Sequence, residues 1–236
     1  MEFFNRQWAT YRLVVEHDLM EHQALSQATA TALELWLAAR PAGAPRPHLV
    51  DLGCGDLAQL APLLRRLPLG SYTGIDLTAS VLPLAAAALG DPGYPCHWHS
   101  ADLLSWALEE NAAPVDLVHS SFAIHHLTDE AKGEFLRGCR RRLAPDGALL
   151  WADVFRHPGE DRLEYVERYT ARIRRHWGVL DAARQEEVIA HLSSFDHPGD
   201  RDALPALAAE AGWRWQWLWQ GQHQAEALAL LQPRHP

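Results

Sequence analysis

Hydrophobic positions along the chain recur in two ways, as short apolar runs typical of buried strands and at the 3.6-residue spacing of helices. Strands are predicted over 48–52, 71–75, 96–99, 115–119 and 148–155. Helices are predicted between them, over 57–66, 79–89, 103–110 and 129–143. Strands that alternate with helices pair into a parallel sheet that is covered on both faces. The middle of the chain is therefore predicted to be a doubly wound α/β domain.

The two ends of the chain follow other patterns. Helical spacing of apolar residues runs from Glu16 to Leu37, and after Phe155 two further helices are predicted within 161–192. The chain then continues with a predicted helix over 202–211 and two strands, 213–219 and 223–231, whose short link indicates an antiparallel hairpin. We expect one domain in four parts: an N-terminal helical cap, a ligand-binding core, a helical insertion able to close over a substrate, and a C-terminal helix and hairpin, over residues 1–47, 48–155, 156–200 and 201–236.

Composition narrows the class of protein. The 236 residues are 48% hydrophobic, which is enough for one substantial core. The formal net charge is −9, and Lys132 is the sole lysine, so nucleic acid is not an expected partner. Three scattered cysteines, Cys54, Cys96 and Cys139, fit a reducing compartment. We expect neither an export signal nor a membrane anchor, and hence a cytoplasmic protein.

A glycine-containing loop follows the first predicted strand, in the sequence Asp51-Leu52-Gly53-Cys54-Gly55. Glycines at a strand-to-helix turn let the backbone approach a ligand closely, next to the positive end of a helix dipole. With Ala58 the loop also fits the dinucleotide pattern of two glycines and a third small residue. A nicotinamide-dependent oxidoreductase is therefore an alternative at this point.

Acidic residues close the second and third predicted strands. Asp76 ends the second strand, where a carboxylate can accept hydrogen bonds from both hydroxyls of a nucleoside ribose. Asp102 follows the third strand and has two interpretations, a contact to an adenine amino group or an ordinary helix cap. With Asp51 of the glycine-containing loop, three acids lie at three successive strand ends, and this arrangement favours a nucleoside-containing ligand.

These motifs together resemble the class I S-adenosylmethionine-dependent methyltransferases. The resemblance rests on Asp51–Gly55, Gly74–Asp76, Ala101–Leu103, Asp116–Ser120 and Leu143–Gly147. It implies a Rossmann-like, seven-stranded, mostly parallel sheet with N-terminal helices and a helical insertion after the fifth strand. It also implies S-adenosylmethionine as the cofactor. The implied cofactor-binding residues are Asp51, Gly53, Cys54, Gly55, Asp76, Leu77, Asp102, Leu103 and Ser120.

The residues after the fourth strand line the methyl-transfer site in the resembled family, and here they include His125 and His126. The pair of prolines typical of nucleic-acid amino methyltransferases is absent, which favours a small-molecule substrate. His125 is a candidate base because the unperturbed histidine pKa is close to neutral, although packing against cofactor and sheet is the alternative. Methyl transfer from a sulfonium needs no metal, and we expect none: His97 and His99 alternate on a strand without a third ligand.

The inserted helix carries two parallel stripes. An apolar stripe consists of Leu163, Val166, Thr170, Ile173 and Trp177. Beside it lies an aromatic and cationic stripe that includes Tyr165, Tyr169 and Arg172. This second stripe either lines a pocket for an anionic or aromatic substrate or is a solvated face.

In the resembled family helices before the first strand often cap the site. Tyr11 and His22 are therefore further candidates for substrate binding, with His126.

Trp213, Trp215, Trp217 and Trp219 alternate on a predicted strand and are expected on one face, under helices or at a contact between two copies. We expect a monomer or a homodimer.

Besides the oxidoreductase, a non-catalytic S-adenosylmethionine-binding protein and transfer of another group from the same cofactor remain alternatives. The oxidoreductase loses support because Thr128 stands where its short-chain branch has a tyrosine, four residues before the lysine.

Overall fold

A computed structural model describes residues 2–234, with side chains described for residues 9–234. The helices are α1 Glu2–Glu16, α2 His22–Ala38, α3 Ala61–Leu64, α4 Leu82–Leu89, α5 Leu103–Leu108, α6 Asp129–Arg142, α7 Arg162–His176, α8 Ala182–Phe195 and α9 Ala203–Glu210. The strands are β1 His48–Leu52, β2 Ser71–Asp76, β3 Cys96–Ser100, β4 Val115–Ser121, β5 Leu143–Arg156, β6 Gly199–Asp200, β7 Trp213–Gln220 and β8 Glu226–Pro233. Short 3₁₀ turns lie at Ala79–Val81 and Ile124–His126.

The strands form one twisted sheet in the order β3-β2-β1-β4-β5-β8-β7. Strands β1 to β5 are parallel, and β8 runs antiparallel to both β5 and β7. The two-residue strand β6 pairs with the end of β5. The predicted doubly wound, mostly parallel seven-stranded sheet is thus confirmed, with β6 as a small addition. Carboxyl ends of β1, β2, β4 and β5 meet at one edge, where ligands bind in such sheets.

Two apolar cores cover the two faces of the sheet. Leu49 of β1 packs in the core that includes Leu33 and Trp36 of α2, and its neighbour Val50 packs in the core that includes Phe135 of α6. Adjacent strand residues point to opposite faces, so each buried strand contributes to both cores. A third, smaller cluster joins α1, α7 and α8 above the carboxyl edge. This third cluster brings the inserted helices over the ligand-binding edge.

Several predicted boundaries differ from the structure. The N-terminal helical region consists of two helices, and α3 is limited to four residues after a turn. The predicted turn at 144–147 lies within β5 instead, because Leu143 already pairs with Val115 before a shift in register. Gly147 is needed there, since a Cβ atom would lie 2.8 Å from the Asp116 carbonyl oxygen. The last strand begins at Glu226, three residues later than predicted.

The tryptophan row does not share one face, which corrects the prediction. Trp213, Trp215 and Trp217 pack with the core that contains α6, whereas Trp219 packs with the core that contains α2. The pairing of β7 with β8 shifts register between Trp217 and Trp219, so that they stand opposite the consecutive residues 229 and 228. A bulge of this kind turns the following side chains to the other face. The tryptophans therefore pack into the cores on both faces of the sheet.

No helix in the described part of the chain is long and apolar enough to cross a membrane.

Candidate active site

Two neighbouring cavities lie over the carboxyl edge of the sheet. The first has a volume of about 380 Å³ and is formed by the loops after β1, β2 and β4 together with α1 and α2. Its polar and small lining residues include Ser26, Thr29, Asp51, Gly53, Cys54, Gly55, Asp56, Asp76, Thr78, His119 and Ser121. The cavity therefore collects most of the residues that the sequence predicts for the cofactor.

The glycine loop is held in its shape by backbone hydrogen bonds and by close packing. The N–H of Gly53 donates to the Ile75 carbonyl oxygen at 2.8 Å, which ties the loop to the end of β2. Gly53 has a φ of +74°, and a Cβ atom at this position would lie 2.5 Å from the Cβ atom of Ala123. Only glycine satisfies both the left-handed backbone and the close approach. Gly53 and Gly55 both line the first cavity, and neither has a side chain that would fill it.

Asp76 connects the glycine loop to the end of β2. One of its carboxylate oxygens accepts the N–H of Gly55 at 2.9 Å, and the other accepts the N–H of Thr78 at 2.8 Å. Each carboxylate oxygen can accept a second hydrogen bond. The side chain is therefore fixed in orientation and still able to bind two hydroxyl groups from the cavity.

Asp51 is buried below the first cavity, with 2% of its surface exposed. The Tyr72 hydroxyl donates to one carboxylate oxygen at 3.0 Å, and Nδ1 of His119 donates to the other at 2.7 Å. Burial and the neighbouring Asp51 charge raise the pKa of Tyr72, which keeps the hydroxyl protonated as a donor. Asp51 thus orients His119, a cavity residue not predicted as part of the site although it lies in the recognised β4 motif.

Four predicted cofactor residues do not line this cavity. Asp102 is exposed and accepts the N–H of Ser105 at 2.8 Å, so it caps α5. Leu103 lies in that helix, and Leu77 is 73% exposed. Ser120 requires a correction, because its hydroxyl is buried and donates to the Leu52 carbonyl oxygen at 2.9 Å. The neighbouring Ser121 lines the cavity in its place.

The second cavity has a volume of about 330 Å³ and lies between the sheet edge and the inserted helices. Tyr11, His22 and Phe122 line both cavities and form their common wall. The other lining residues are Thr10, Val14, Met20, His125, His126, Val154, Tyr165, Tyr169, Trp177, Glu187, Val188, His191, Leu192 and Asp196. The structure therefore brings five of the six predicted substrate-binding residues to the second cavity, together with His125.

Arg172 is the sixth, and the structure corrects its predicted role. Its Nη1 atom donates to both carboxylate oxygens of the fully buried Glu226, at 2.6 and 2.9 Å, and its Nη2 atom donates to the Leu19 carbonyl oxygen at 2.8 Å. The Tyr169 hydroxyl donates to the same carboxylate at 2.8 Å. Arg172 is thus neutralised outside the cavity and is not free to bind a substrate anion. The apolar stripe also differs from the prediction, since Leu163 is 65% exposed and the buried face runs through the tyrosines.

Several buried polar atoms of the second cavity have no hydrogen-bond partner within the described residues. They are Thr10 Oγ1, His22 Nδ1, Tyr165 Oη and Asp196 Oδ1. Unpaired buried polar atoms are costly unless a ligand or water satisfies them. Burial lowers the pKa of His22 to about 4, so its imidazole is neutral at physiological pH. The cavity therefore offers the neutral hydrogen-bonding groups of Thr10, His22 and Tyr165 in an aromatic environment, together with the Asp196 carboxyl group.

His125 forms a buried pair with Asp153. Its Nδ1 atom donates to Asp153 Oδ1 at 2.5 Å, and its backbone N–H donates to Asp153 Oδ2 at 3.0 Å. Trp151 Nε1 and the N–H of Val154 also donate to this carboxylate. Burial lowers the pKa of His125, but the charge and hydrogen bond of Asp153 outweigh burial and raise it overall. This arrangement orients Nε2 away from Asp153, and it stabilises an imidazolium if the ring takes up a proton.

Asp196 lies opposite His125, at the end of α8. Its Oδ1 atom is 3.6 Å from His125 Nε2, 3.4 Å from His126 Nδ1 and 3.6 Å from His191 Nε2. Asp153, His191 and Asp196 were not predicted as site residues. Their spacing in the sequence carries no motif, because β5 and α8 meet only when the inserted helices fold over the sheet edge.

Comparison with known proteins identifies the core of the chain. Residues 49–147 match the family model described as a methyltransferase domain. Residues 49–147 are therefore similar to methyltransferase domains, in agreement with the resemblance of the sequence motifs. The chain is 38% identical over 101 residues to the trans-aconitate 2-methyltransferase of Azoarcus sp. (strain BH72), a match that covers 43% of this chain and 36% of that protein.

Two further similarities extend this result. A ubiquinone biosynthesis O-methyltransferase of Caulobacter sp. (strain K31) is 32% identical over 110 residues, or 46% of this chain and 41% of that protein. The chain therefore spans well under half the length of these curated relatives. The solved structure of the plantazolicin methyltransferase BpumL, in complex with SAH and a triazolic analogue, superimposes with a TM-score of 0.65 at 13% identity, covering 95% of this chain and 91% of that one. The methyltransferase fold thus extends over nearly the whole chain.

Proposed function

We propose that this protein binds S-adenosylmethionine in the first cavity and transfers its methyl group to a small molecule held in the second. The observation that carries the proposal is the common wall of the two cavities at Tyr11, His22 and Phe122. Direct displacement at a methyl group needs the donor and acceptor aligned across a short distance. Two adjoining cavities at the carboxyl edge supply that geometry.

The first cavity suits S-adenosylmethionine in shape and charge. Asp76 is oriented to bind the two ribose hydroxyls, and the open glycine loop leaves room for the methionyl part. Asp51, Asp56 and Asp76 make the lining acidic, which favours a ligand that carries a positive sulfonium. Asp102 stays a candidate for the adenine, since the N–H of Ala101 donates to the Asp76 carbonyl oxygen and places the two acids at neighbouring strand ends.

The acceptor is proposed to be an aromatic molecule with an ionisable hydroxyl group. Tyr165, Tyr169, Trp177 and Phe122 supply aromatic walls, and the unpaired Tyr165 hydroxyl is available to a polar atom of the acceptor. The described lining contains no arginine or lysine. A free polycarboxylate such as trans-aconitate, for which one relative is named, would meet no arginine or lysine here.

The reaction is a displacement in which an acceptor oxygen forms a bond to the methyl carbon while the carbon–sulfur bond breaks. The sulfur keeps the bonding electron pair, and S-adenosylhomocysteine leaves uncharged at sulfur. When Nε2 of His125 carries no other ligand, the hydroxyl proton passes to it, and the charge of Asp153 stabilises the resulting imidazolium. His125 therefore acts as the proton acceptor, and the methyl transfer itself depends on alignment.

Calorimetry tests the cofactor half of the proposal. S-adenosylmethionine and S-adenosylhomocysteine should bind one to one with affinity near the micromolar range, or about 8 kcal/mol. Asp76→Ala should weaken binding by at least tenfold, since each hydrogen bond to a charge contributes about 1.5–3 kcal/mol. Asp91→Ala is the matched control, because Asp91 also accepts a backbone N–H in a turn but lies outside the cavity. Binding of nicotinamide cofactors, or equal affinity of the Asp76 variant, would contradict the assignment.

A labelled methyl donor tests the acceptor half. We expect label transfer to members of a panel of phenols and not to simple polycarboxylates. His125→Asn should lower turnover about 100-fold or more while cofactor affinity is unchanged. Full cofactor binding with no transfer to any acceptor in a metabolite extract would instead favour a non-catalytic binding protein.

A further inference from the structure

We infer that His125, His126 and Asp196 form a binding site for a divalent transition-metal ion in the wall of the second cavity. The side chain of His191 lies beside this group, with its Nε2 atom 3.6 Å from Asp196 Oδ1. The site itself follows from geometry alone; its use in anchoring an acceptor rests on the proposed function. This inference departs from the sequence-based expectation that no metal is involved.

The distances between the ligand atoms fit a metal ion. Ligand atoms of His125, His126 and Asp196 all lie within 4.8 Å of one another. Asp196 Oδ1 lies 3.4 to 3.6 Å from one nitrogen of each of the three histidines. Bonds of about 2.0–2.2 Å to a tetrahedral ion place its ligand atoms roughly 3.3–3.6 Å apart. The separations between Asp196 and the histidines are therefore of the size that a shared ion would produce.

Ordinary hydrogen bonding does not account for this cluster. Asp196 is 8% exposed, and its Oδ1 atom is buried without a hydrogen-bond partner among the described residues, although three imidazole nitrogens surround it. A carboxylate oxygen left unpaired in a buried position is strongly unfavourable. A cation placed between this oxygen and the histidine nitrogens would satisfy all of these groups together.

The cluster is also supported by surrounding contacts, as metal ligands generally are. Asp153 binds Nδ1 of His125 and leaves Nε2 as the free ligand atom, which is the carboxylate–histidine arrangement common at metal sites. The N–H of His197 donates to the His125 carbonyl oxygen at 2.7 Å, and Arg162 Nε donates to the Asp196 carbonyl oxygen at 2.7 Å. Lys132 donates to the His197 carbonyl oxygen. These bonds fix the position of Asp196 relative to His125.

The ligand set indicates which ions to expect. Imidazole suits Zn²⁺, Fe²⁺ and Ni²⁺, whereas Mg²⁺ and Ca²⁺ prefer oxygen ligands. Three protein ligands on a cavity wall leave coordination positions open toward the acceptor. An ion there would bind the acceptor oxygen and lower its pKa, so that His125 acts as a ligand in the loaded protein and as a base only in the metal-free one. It would also add positive charge to a cavity whose described lining contains no arginine or lysine.

Zinc titration of chelator-treated protein tests the site without requiring an acceptor. We expect one Zn²⁺ per chain by calorimetry, and an absorption spectrum with Co²⁺ typical of four or five nitrogen and oxygen ligands. His126→Asn and Asp196→Asn should each weaken zinc binding by about tenfold or more. Mg²⁺ should not compete. The control is the double variant His97→Asn/His99→Asn, which removes two exposed strand histidines that lie outside the cavity.

The outcomes separate this inference from the proposed function. Absence of saturable zinc binding to the unmodified protein would overturn the metal site, as would His126 and Asp196 variants that fold normally and bind zinc as tightly as the control. His126 has an exposed side chain, so its variant tests the site even if the more buried Asp196 variant fails to fold. Loss of S-adenosylmethionine binding with intact zinc binding would overturn the proposed function alone.

Discussion

Removing the guanidinium of Arg172 should lower the stability of the fold and should not act through lost contacts to the substrate. The fully buried Glu226 carboxylate depends on Arg172 and Tyr169 for its hydrogen bonds, and the Arg172 side chain is itself only 9% exposed. Breaking a buried ion pair by removing one partner costs about 3–5 kcal/mol, because an uncompensated charge is left inside the protein. Since Tyr169 continues to donate, we expect Arg172→Ala to lower the free energy of unfolding by about 3 kcal/mol.

Urea unfolding followed by tryptophan fluorescence measures this change. Arg174→Ala is the matched control on the same helix, because Arg174 pairs with Glu186 at 3.0 Å and both side chains are about 60% exposed. An exposed pair of this kind contributes about 0–1 kcal/mol. The double variant Arg172→Met/Glu226→Gln should recover part of the loss, since it removes the buried charge together with its partner.

Two results would refute this reasoning. One is an Arg172 variant as stable as the Arg174 variant, which would mean that the Arg172–Glu226 pair contributes no more than a solvated one. The other is a fully stable Arg172→Ala protein that has lost methyl transfer but retains cofactor binding. That pattern would restore the interpretation of Arg172 as a residue that holds an anionic substrate.

Two further predictions concern the cofactor loop and the common wall. In urea unfolding, Gly53→Ala should lower the free energy of unfolding by at least about 1 kcal/mol more than Gly43→Ala. Both glycines have a positive φ, but only at Gly53 would the added Cβ atom also clash with Ala123. His22 has a pKa of about 4 when folded, below the usual 6.5, so its contribution to stability is complete above pH 6.5 and is lost as pH falls toward 4. The free energy of unfolding should fall by about 3 kcal/mol over this range, at about 1.4 kcal/mol per pKa unit. In the His22→Gln variant the melting temperature should therefore depend less on pH between 6.5 and 4.

The sequence predicts much of the lining of the first cavity because its determinants are local. A glycine loop directly after a buried strand, and an acid directly after the next one, lie at the same sheet edge in any parallel arrangement. Gly53, Gly55 and Asp76 therefore line the cavity as expected. The prediction for Ser120 is wrong because successive side chains of a strand point in opposite directions. Ser121 lines the cavity instead.

The acceptor half could not be predicted in the same way, because its partners are distant in the chain. Helical spacing identifies Tyr165, Tyr169 and Arg172 as neighbours on α7 but does not show that Glu226, on a strand 54 residues further on, neutralises the arginine. Trp219 shows the same limit on a strand. Alternation places it with the other tryptophans, and only the pairing with β8 reveals the shift in register.

The two cavities also differ in how they relate to known proteins, and this difference limits what a relative's name can indicate. The family match ends at residue 147, and it includes the glycine loop and Asp76. Within it, only Phe122, His125 and His126 line the second cavity. The remaining acceptor residues come from the N-terminal helices, from β5 and from the inserted helices, all outside the matched segment. The family match therefore reports on the first cavity, whereas most of the second cavity is formed by residues that this match does not reach.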